Sequence, residues 1–320
     1  MSSSSFGSRF VITSFGESHG HAMGVVIDGC PSGVSWNQEL IDENLRKRRP
    51  GQSSTVSARN EKDQFEILSG VFEGQTLGTP IALMVRNEDA RSQDYDKIKS
   101  NPRAGHADDV WKNKFGISDP RGGGRSSGRE TVSRVLAGSV AQMALQQIYP
   151  KLLVQAQVIQ ISDRAVEGPP YTEEINTWLK EARDRGESYG GILRLTIEGV
   201  PSGFGQPVFH KLKSDFASAL MSIGAINGVE LGDGFAAGLS TGTAFHQTQQ
   251  QSQYGGIRGG ISTGETIHFK LSIKPTSSIL DVAKQGRHDP FIGTRAVPVV
   301  EAMAHLVIMD HALWLRSDRL

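Results

Sequence analysis

A single cysteine, Cys30, stands in 320 residues, so the chain can build no internal disulfide framework and must hold its fold by burial alone. A lone thiol suits a reducing compartment, and the cytoplasm is the expected location. Charge of either sign is missing in the net: 34 Lys and Arg balance 34 Asp and Glu. That balance excludes the basic footprint of a nucleic-acid binder and requires any anion site to be local. No run of about 18 apolar residues appears, and residues 1–9, MSSSSFGSR, lack an apolar leader segment. Neither a membrane partner nor secretion is therefore expected. Metal-ligand patterns such as HExxH or CxxC are absent, so no metal is expected. No Gly-Lys-Ser/Thr of a Walker loop and no GxGxxG after a strand occurs, which counts against a phosphotransferase or dinucleotide fold.

Glycine is abundant, with 37 residues in discrete clusters and no collagen-like period. Two internal echoes organise the chain. VIDGCPSGV at 26–34 returns as TIEGVPSGF at 196–204, and GVFEGQTL at 70–77 as GISTGETI at 260–267. Two matches in the same order indicate a duplicated unit, with halves at about 10–150 and 190–315. Strands are expected at 9–13, 24–27, 66–68, 80–85, 192–197 and 266–273. Helices are expected at 37–49, 129–149, 172–185, 212–223 and 298–315. The helix at 129 should open with a capping box, Ser127 and Glu130, and that at 298 with proline in its first turn. Strict βαβα alternation is absent. The expected class is α+β, sheets packed on a helical layer with a pseudo-twofold repeat, in one compact domain spanning 1–320.

Four places concentrate unusual chemistry. Gly16-Glu17-Ser18-His19-Gly20-His21 surrounds a titrating ring with glycine, which suits either a general acid or a structural turn. Arg46-Lys47-Arg48-Arg49 ends a helix, where cations complement the helix dipole but four exceed that need. From Arg103 through His106 to Gly122-Gly123-Gly124-Arg125-Ser126-Ser127-Gly128-Arg129, a glycine run enters a long helix and offers backbone N–H groups to an anion. Gly286-Arg287-His288-Asp289-Pro290, followed by Gly293-Thr294-Arg295, sets an arginine fork beside a carboxylate, though Asp-Pro is also an ordinary turn start. Gly255 to Gly260 and Lys274-Pro275-Thr276-Ser277-Ser278 have the composition of ligand loops. These patterns point to an enzyme acting on an anionic substrate and do not name the reaction.

Further strings carry a resemblance. GESHG at 16–20, LSGVFEGQTLGTPIAL at 68–83, RSQDY at 91–95, GHAD at 105–108 and RGGGRSSGRE at 121–130 are followed by LMSI and GVELGDGF between 220 and 235. GGISTG at 259–264, KPTSSI at 274–279 and GRHDP at 286–290 with RAVPVVEAM complete the set. Together, from about Phe10 to His311, they resemble the chorismate synthase family.

The resemblance implies a β-α-β sandwich assembled as a homotetramer. It also implies 1,4-elimination of phosphate from 5-enolpyruvylshikimate 3-phosphate, with reduced FMN and no net redox change. NADPH or a separate reductase would supply the flavin's electrons. His19 then matches the acid at the departing phosphate, His106 the acid facing the flavin, and Asp289 the group that helps remove the ring C6 proton together with flavin N5. Arg48, Arg103, Arg129 and Arg287 match substrate or phosphate contacts, Arg287 also lying near the flavin. Arg125, Ser126, Ser127, Gly224, Ala225, Gly259, Lys274, Pro275, Thr276, Ser277 and Ser278 match flavin-binding positions.

Some positions depart from the family pattern: Ser54 for a second arginine, with Arg59 as a substitute, then Ala104, Gly224 and Arg258. The stretches after Gly234 and between Ile279 and Gly286 are short. They motivate one alternative, a noncatalytic or altered flavin and phosphate-binding homologue.

Overall fold

A computed structural model describes residues 3–49, 63–87, 107–117, 119, 123–169, 171–246, 252–277, 279–280 and 289–318. In the first half, strands β1 (Ser5–Phe6), β2 (Val11–Gly16), β3 (Ala22–Asp28), β4 (Phe65–Ser69) and β7 (Ile81–Arg86) form a sheet in the order β1-β2-β3-β7-β4. The small hairpin β5 (Val71–Phe72) and β6 (Gln75–Thr76) interrupts it in sequence. Helix α1 (Gln38–Arg48) lies between β3 and β4. Helix α2 (Asp108–Phe115) and the long α3 (Thr131–Ile148) follow β7. Met23, Val25 and Ile27 on β3 and Ile81, Leu83 and Val85 on β7 are buried at alternate positions, one face of the sheet lying on α3.

The second half repeats the plan. Strands β8 (Leu153–Ile161), β9 (Arg164–Ala165), β10 (Gly191–Glu198), β11 (Ile226–Leu231) and β14 (Ile267–Ile273) form a sheet in the order β11-β14-β10-β8-β9. A hairpin of β12 (Ile257–Arg258) and β13 (Ile261–Ser262) again precedes its last strand. The helices are α4 (Glu173–Arg185), α5 (Leu212–Met221), α6 (Gly242–His246) and α7 (Gly293–Leu315). The chain order β2-β3-α1-β4-β7-α3 matches β8-β10-α5-β11-β14-α7, and the spatial orders β2-β3-β7-β4 and β8-β10-β14-β11 match as well. Every strand pairing described is antiparallel. With α3 against the first sheet, α7 against the second and the two helices against each other, the layers run sheet, helices, sheet. This is the α+β sandwich with an internal repeat that the echoes imply.

Several local expectations are corrected. β8 and β11 were not anticipated from the sequence. The second echo does not correspond along its length, because β14 starts at Ile267, inside it, while β7 starts only at Ile81, beyond it. The helix expected at 129 begins as a 3-10 turn over Gly128–Glu130, and α3 starts at Thr131. Ser127 Oγ accepts from the Arg129 N–H at 3.3 Å, while the Glu130 carboxylate turns to Arg134 Nε at 3.0 Å, so the reciprocal capping box does not form. Pro298 lies inside α7 rather than at its start, because the helix opens at Gly293 with the Arg295 and Ala296 N–H groups on Ile292 O. There the ring forgoes the bond to the carbonyl four residues back and crowds that carbonyl. α7 has the length and apolarity of a membrane span, but most of it is buried inside the protein.

Candidate active site

Helix α1 is capped by Asn37, whose Oδ1 accepts the Leu40 N–H at 3.0 Å. Its buried stripe is Ile41, Leu45 and then Arg48, at the i, i+4, i+7 spacing of one helix face. Arg48 is therefore driven inward by the same periodicity that buries the leucine. Arg46 and Lys47 lie off the stripe and pair at the surface with Glu43, at 2.7 and 3.7 Å. The cationic cluster thus divides: 46 and 47 serve the helix end, 48 enters the protein.

Arg48 meets the carboxylate of Asp63, Nη2 to Oδ2 at 2.5 Å, with both side chains buried. Arg129, carried inward by the turn that opens α3, takes the other carboxylate oxygen through Nη1. Arg49 Nε stands 3.7 Å from Asp63 Oδ2. Among the described residues, one carboxylate therefore faces three guanidinium groups, a surplus of positive charge in a largely buried place. Burial dominates at Arg48 and pushes its pKa down to about 10, with Asp63 opposing and Arg129 and Arg295 reinforcing the shift. It remains a cation at neutral pH. At Asp63 burial would raise the pKa, but Arg48 and Arg129 together outweigh it and hold the group ionised. The Nε–H groups of Arg48, Arg49 and Arg295 are buried without a hydrogen-bond acceptor among the described residues. Donors left over beside surplus positive charge are what an incoming polyanion requires.

Asn87, at the end of β7, connects this cluster to the first glycine-flanked loop. Its Oδ1 accepts from Arg129 Nε at 3.1 Å, and its Nδ2 donates to Glu17 O at 3.0 Å and Gly20 O at 2.9 Å. His19 lies within that loop, buried, its Nδ1 3.0 Å from Ser18 Oγ. Burial pushes the Glu17 carboxyl pKa up; Arg125 acts against this and Asp119 with it. Arg125 donates to Gly16 O at 3.1 Å and to Ser14 Oγ at 2.5 Å, fastening the glycine run to the end of β2. Gly124 has φ of 51°, in the left-handed region that favours glycine, and the Glu17 carboxylate lies 2.7 Å from where a Cβ would stand. Ser126 Oγ bonds Gly123 O at 2.6 Å within the same turn.

On the second half, Asp289 is buried and its Oδ2 accepts from Arg295 Nη1 at 2.6 Å. Arg295 also raises the positive potential felt by Arg48, which brings this pair toward the arginine cluster. Thr276 Oγ1 donates to Asp289 O at 3.3 Å, and Ser188 Oγ to Thr276 O at 2.9 Å, so the loop from Lys274 is tied to Asp289. The Lys274 N–H bonds Ala225 O at 2.9 Å, and Ala225 adopts φ of 70°. Gly224, Ala225, Lys274, Pro275, Thr276 and Ser277 therefore form one region. Gly259 lies exposed in the turn between β12 and β13.

His106, Arg103, Arg287 and Ser278, with Ser54 and Arg59, lie outside the described residues. Three residues of the cluster had no assigned part in the sequence reading. Asp63 and Asn87 are single polar residues beside strands, with no local pattern to mark them. Arg295 stood in view after Gly293-Thr294, but its role depends on a partner six residues earlier, on the other side of a turn.

Buried arginines gathered on one carboxylate, a buried histidine linked to them through Asn87 and an arginine-paired aspartate have the make-up of an enzyme site for an anionic small molecule. A family model for chorismate synthase matches residues 10–313. The chain is 57% identical over 342 residues to a chorismate synthase of Bdellovibrio bacteriovorus, covering all of both chains. It is 42% identical to one of Jannaschia sp., over 99% of this chain and 96% of that protein. For one of Xanthomonas axonopodis pv. citri the identity is 44%, with 99% and 95% covered. A solved structure titled "Crystal Structure of Chorismate Synthase" superposes with a TM-score of 0.78 at 27% identity, covering 97% of this chain and 94% of that one. The chain belongs to the chorismate synthase family and is a carbon-oxygen lyase acting on phosphates.

Proposed function

We propose that the protein converts 5-enolpyruvylshikimate 3-phosphate to chorismate by anti-1,4-elimination. The C6–H bond breaks, its electron pair becomes a new ring double bond, the existing double bond shifts, and the C3–O bond breaks to release phosphate. The observation that carries this reading is the pair of buried arginines, Arg48 and Arg129, on the Asp63 carboxylate. Their guanidinium forks suit a phosphate ester, whose charge rises as the C–O bond breaks. His19, tied to the Arg129 side through Asn87, delivers a proton to the leaving phosphate oxygen. Asp289, held by Arg295, takes the C6 proton. Arg103 and Arg287 join the substrate contacts, and His106 serves as the acid on the flavin side.

The region of Gly224, Ala225 and Lys274 to Ser278, with Gly259, Arg287 and the Arg125-Ser126-Ser127 turn, would hold FMN. A Cβ at Gly224 or Gly259 would meet nothing within 4 Å, and Lys274 is exposed, so open space and a cation suit an anionic flavin. When bound there, reduced FMN would supply electron density that eases departure of the phosphate, without net redox change. NADPH or a separate reductase keeps it reduced. The protein is read as a single domain of two pseudo-repeat halves, a cytoplasmic homotetramer without nucleic-acid or membrane partners. Exposed Phe209, Phe235 and Leu239 provide apolar surface of the kind that subunits cover.

Anaerobic incubation of substrate with enzyme and chemically reduced FMN tests the reading. Chorismate and phosphate are expected in equal amounts, and intact substrate after many expected turnovers would refute it. His19→Ala and His106→Ala should each slow turnover by roughly 10² to 10⁴ while the protein still binds FMN. Unchanged rates in both would remove the two acids from the mechanism.

A further inference from the structure

Asn87 occupies an unusual junction. Its backbone N–H donates to His21 O at 3.1 Å, just beyond the last ladder pair of β3 and β7, Ala22 with Arg86. Its side chain then uses every polar group that it has. The two N–H bonds go to Glu17 O and Gly20 O, which are the two ends of the turn closed by the Gly20 N–H on Glu17 O at 3.0 Å. His19 sits between those ends. The remaining group, Oδ1, accepts Arg129 Nε. The demands on the two sides are opposite in kind, carbonyl oxygens on one and a guanidinium on the other. Only a short primary amide meets both: aspartate lacks the two donors, and glutamine is a methylene too long.

We propose that Asn87 is a positioning residue, which holds the His19 turn in register with the phosphate-binding arginines. The proposal rests on the roles assigned above to His19 and Arg129. Arg129 is locked to Asp63 together with Arg48, so the arginine side of the junction is rigid. The glycine-flanked turn on the other side is buried at Ser18 and His19 and closed by its own Gly20 N–H, and Asn87 is the side chain that bonds both of its ends while holding Arg129. The amide thus couples the turn that carries the proton donor directly to the phosphate fork, and displacement of about 1 Å at such a place slows a reaction by roughly 10²-fold. Phosphate affinity, by contrast, depends on arginines that keep Asp63 when the amide is gone.

The test is a double-mutant cycle of Asn87→Ala and His19→Ala, with turnover, inorganic phosphate binding and the ¹H–¹⁵N signals of the His19 ring as readouts. Asn87→Ala should lower kcat roughly 10- to 100-fold, leave the phosphate dissociation constant within about threefold and shift the His19 ring signals. In the His19→Ala background it should lower kcat by less than about threefold, since the group it positions is gone. An equal loss in both backgrounds would show general loosening and overturn the proposal, as would a wild-type kcat in Asn87→Ala. Should Asn87→Ala fail to fold, Asn87→Asp keeps the shape and the Arg129 acceptor while removing both donated bonds. The same loss of kcat is expected, and its absence counts against the proposal. If the wild-type protein shows no turnover, the assigned function fails by itself, and unmoved His19 signals in the variant would separately reject the positioning role.

Discussion

Asp63 shows how much of the site depends on a single carboxylate. It stands fully buried between Arg48 and Arg129, and removing its charge leaves those two cations facing each other. Asp63→Asn should therefore destabilise the fold by about 3–5 kcal/mol, measured by urea unfolding at neutral pH. The pH dependence has a definite sign. Burial would raise the Asp63 pKa, but the two arginines hold it below the ordinary aspartate value. A carboxylate lowered in the folded state stabilises fully above the ordinary value of about 3.9 and loses that contribution as the pH falls below it. The gap in stability between wild type and Asp63→Asn should stay constant from neutral pH to about 5 and close only under more acid conditions. A gap that closed on the alkaline side of neutrality would contradict the ion pairs. Arg48→Ala acts elsewhere: it should weaken substrate far more than flavin, since its guanidinium lies with Asp63 and not with the Lys274 loop.

Among the elements, the crossing of α3 and α7 decides how closely the two halves approach. A Cβ on Gly138 of α3 would lie 2.5 Å from both Cα and Cβ of Ala302 on α7, and 2.8 Å from its carbonyl oxygen. These are parts of the partner helix that no side-chain rotation can move. Gly138→Ala gains about 1 kcal/mol of helix propensity, yet it forces the helices apart in a packed core, where overpacking costs about 1–3 kcal/mol. A net loss of stability is expected, read as a lower Tm, with activity falling further if the shift reaches Asp289 and Arg295 at the start of α7. A raised Tm would show that the crossing is loose. At this scale also stand the strands missed from sequence. β8, Leu-Val-Gln-Ala-Gln-Val-Ile-Gln-Ile, carries glutamine at exposed or half-buried positions, and β11 contains Asn227 and Gly228, which read locally as turn residues. Each is a strand because a neighbouring strand supplies its ladder, β10 for β8 and β14 for β11.

For the whole molecule, the sandwich places each long helix between its own sheet and the other half's helix, so neither half can bury its helix alone. A single calorimetric unfolding transition is expected, with van't Hoff and calorimetric enthalpies in agreement. Two resolved transitions would mean that the halves fold independently and that the interface is secondary.

The amino-acid sequence by itself determined the duplicated plan, six of the fourteen described strands, the longer helices and the family, because periodicity and motif strings are local properties of a chain. It also marked His19, Arg48, Arg129 and Asp289 through their glycine and arginine neighbourhoods. Only the tertiary structure decided which cations share a carboxylate and which amide joins them to the histidine. Asp63 meets Arg48 across 15 positions and Arg129 across 66, and Asn87 meets Arg129 across 42. The physical reason is that a buried charge takes whichever partner the packing brings to it. Sheet order and helix crossing set that encounter, and no spacing along the chain encodes it.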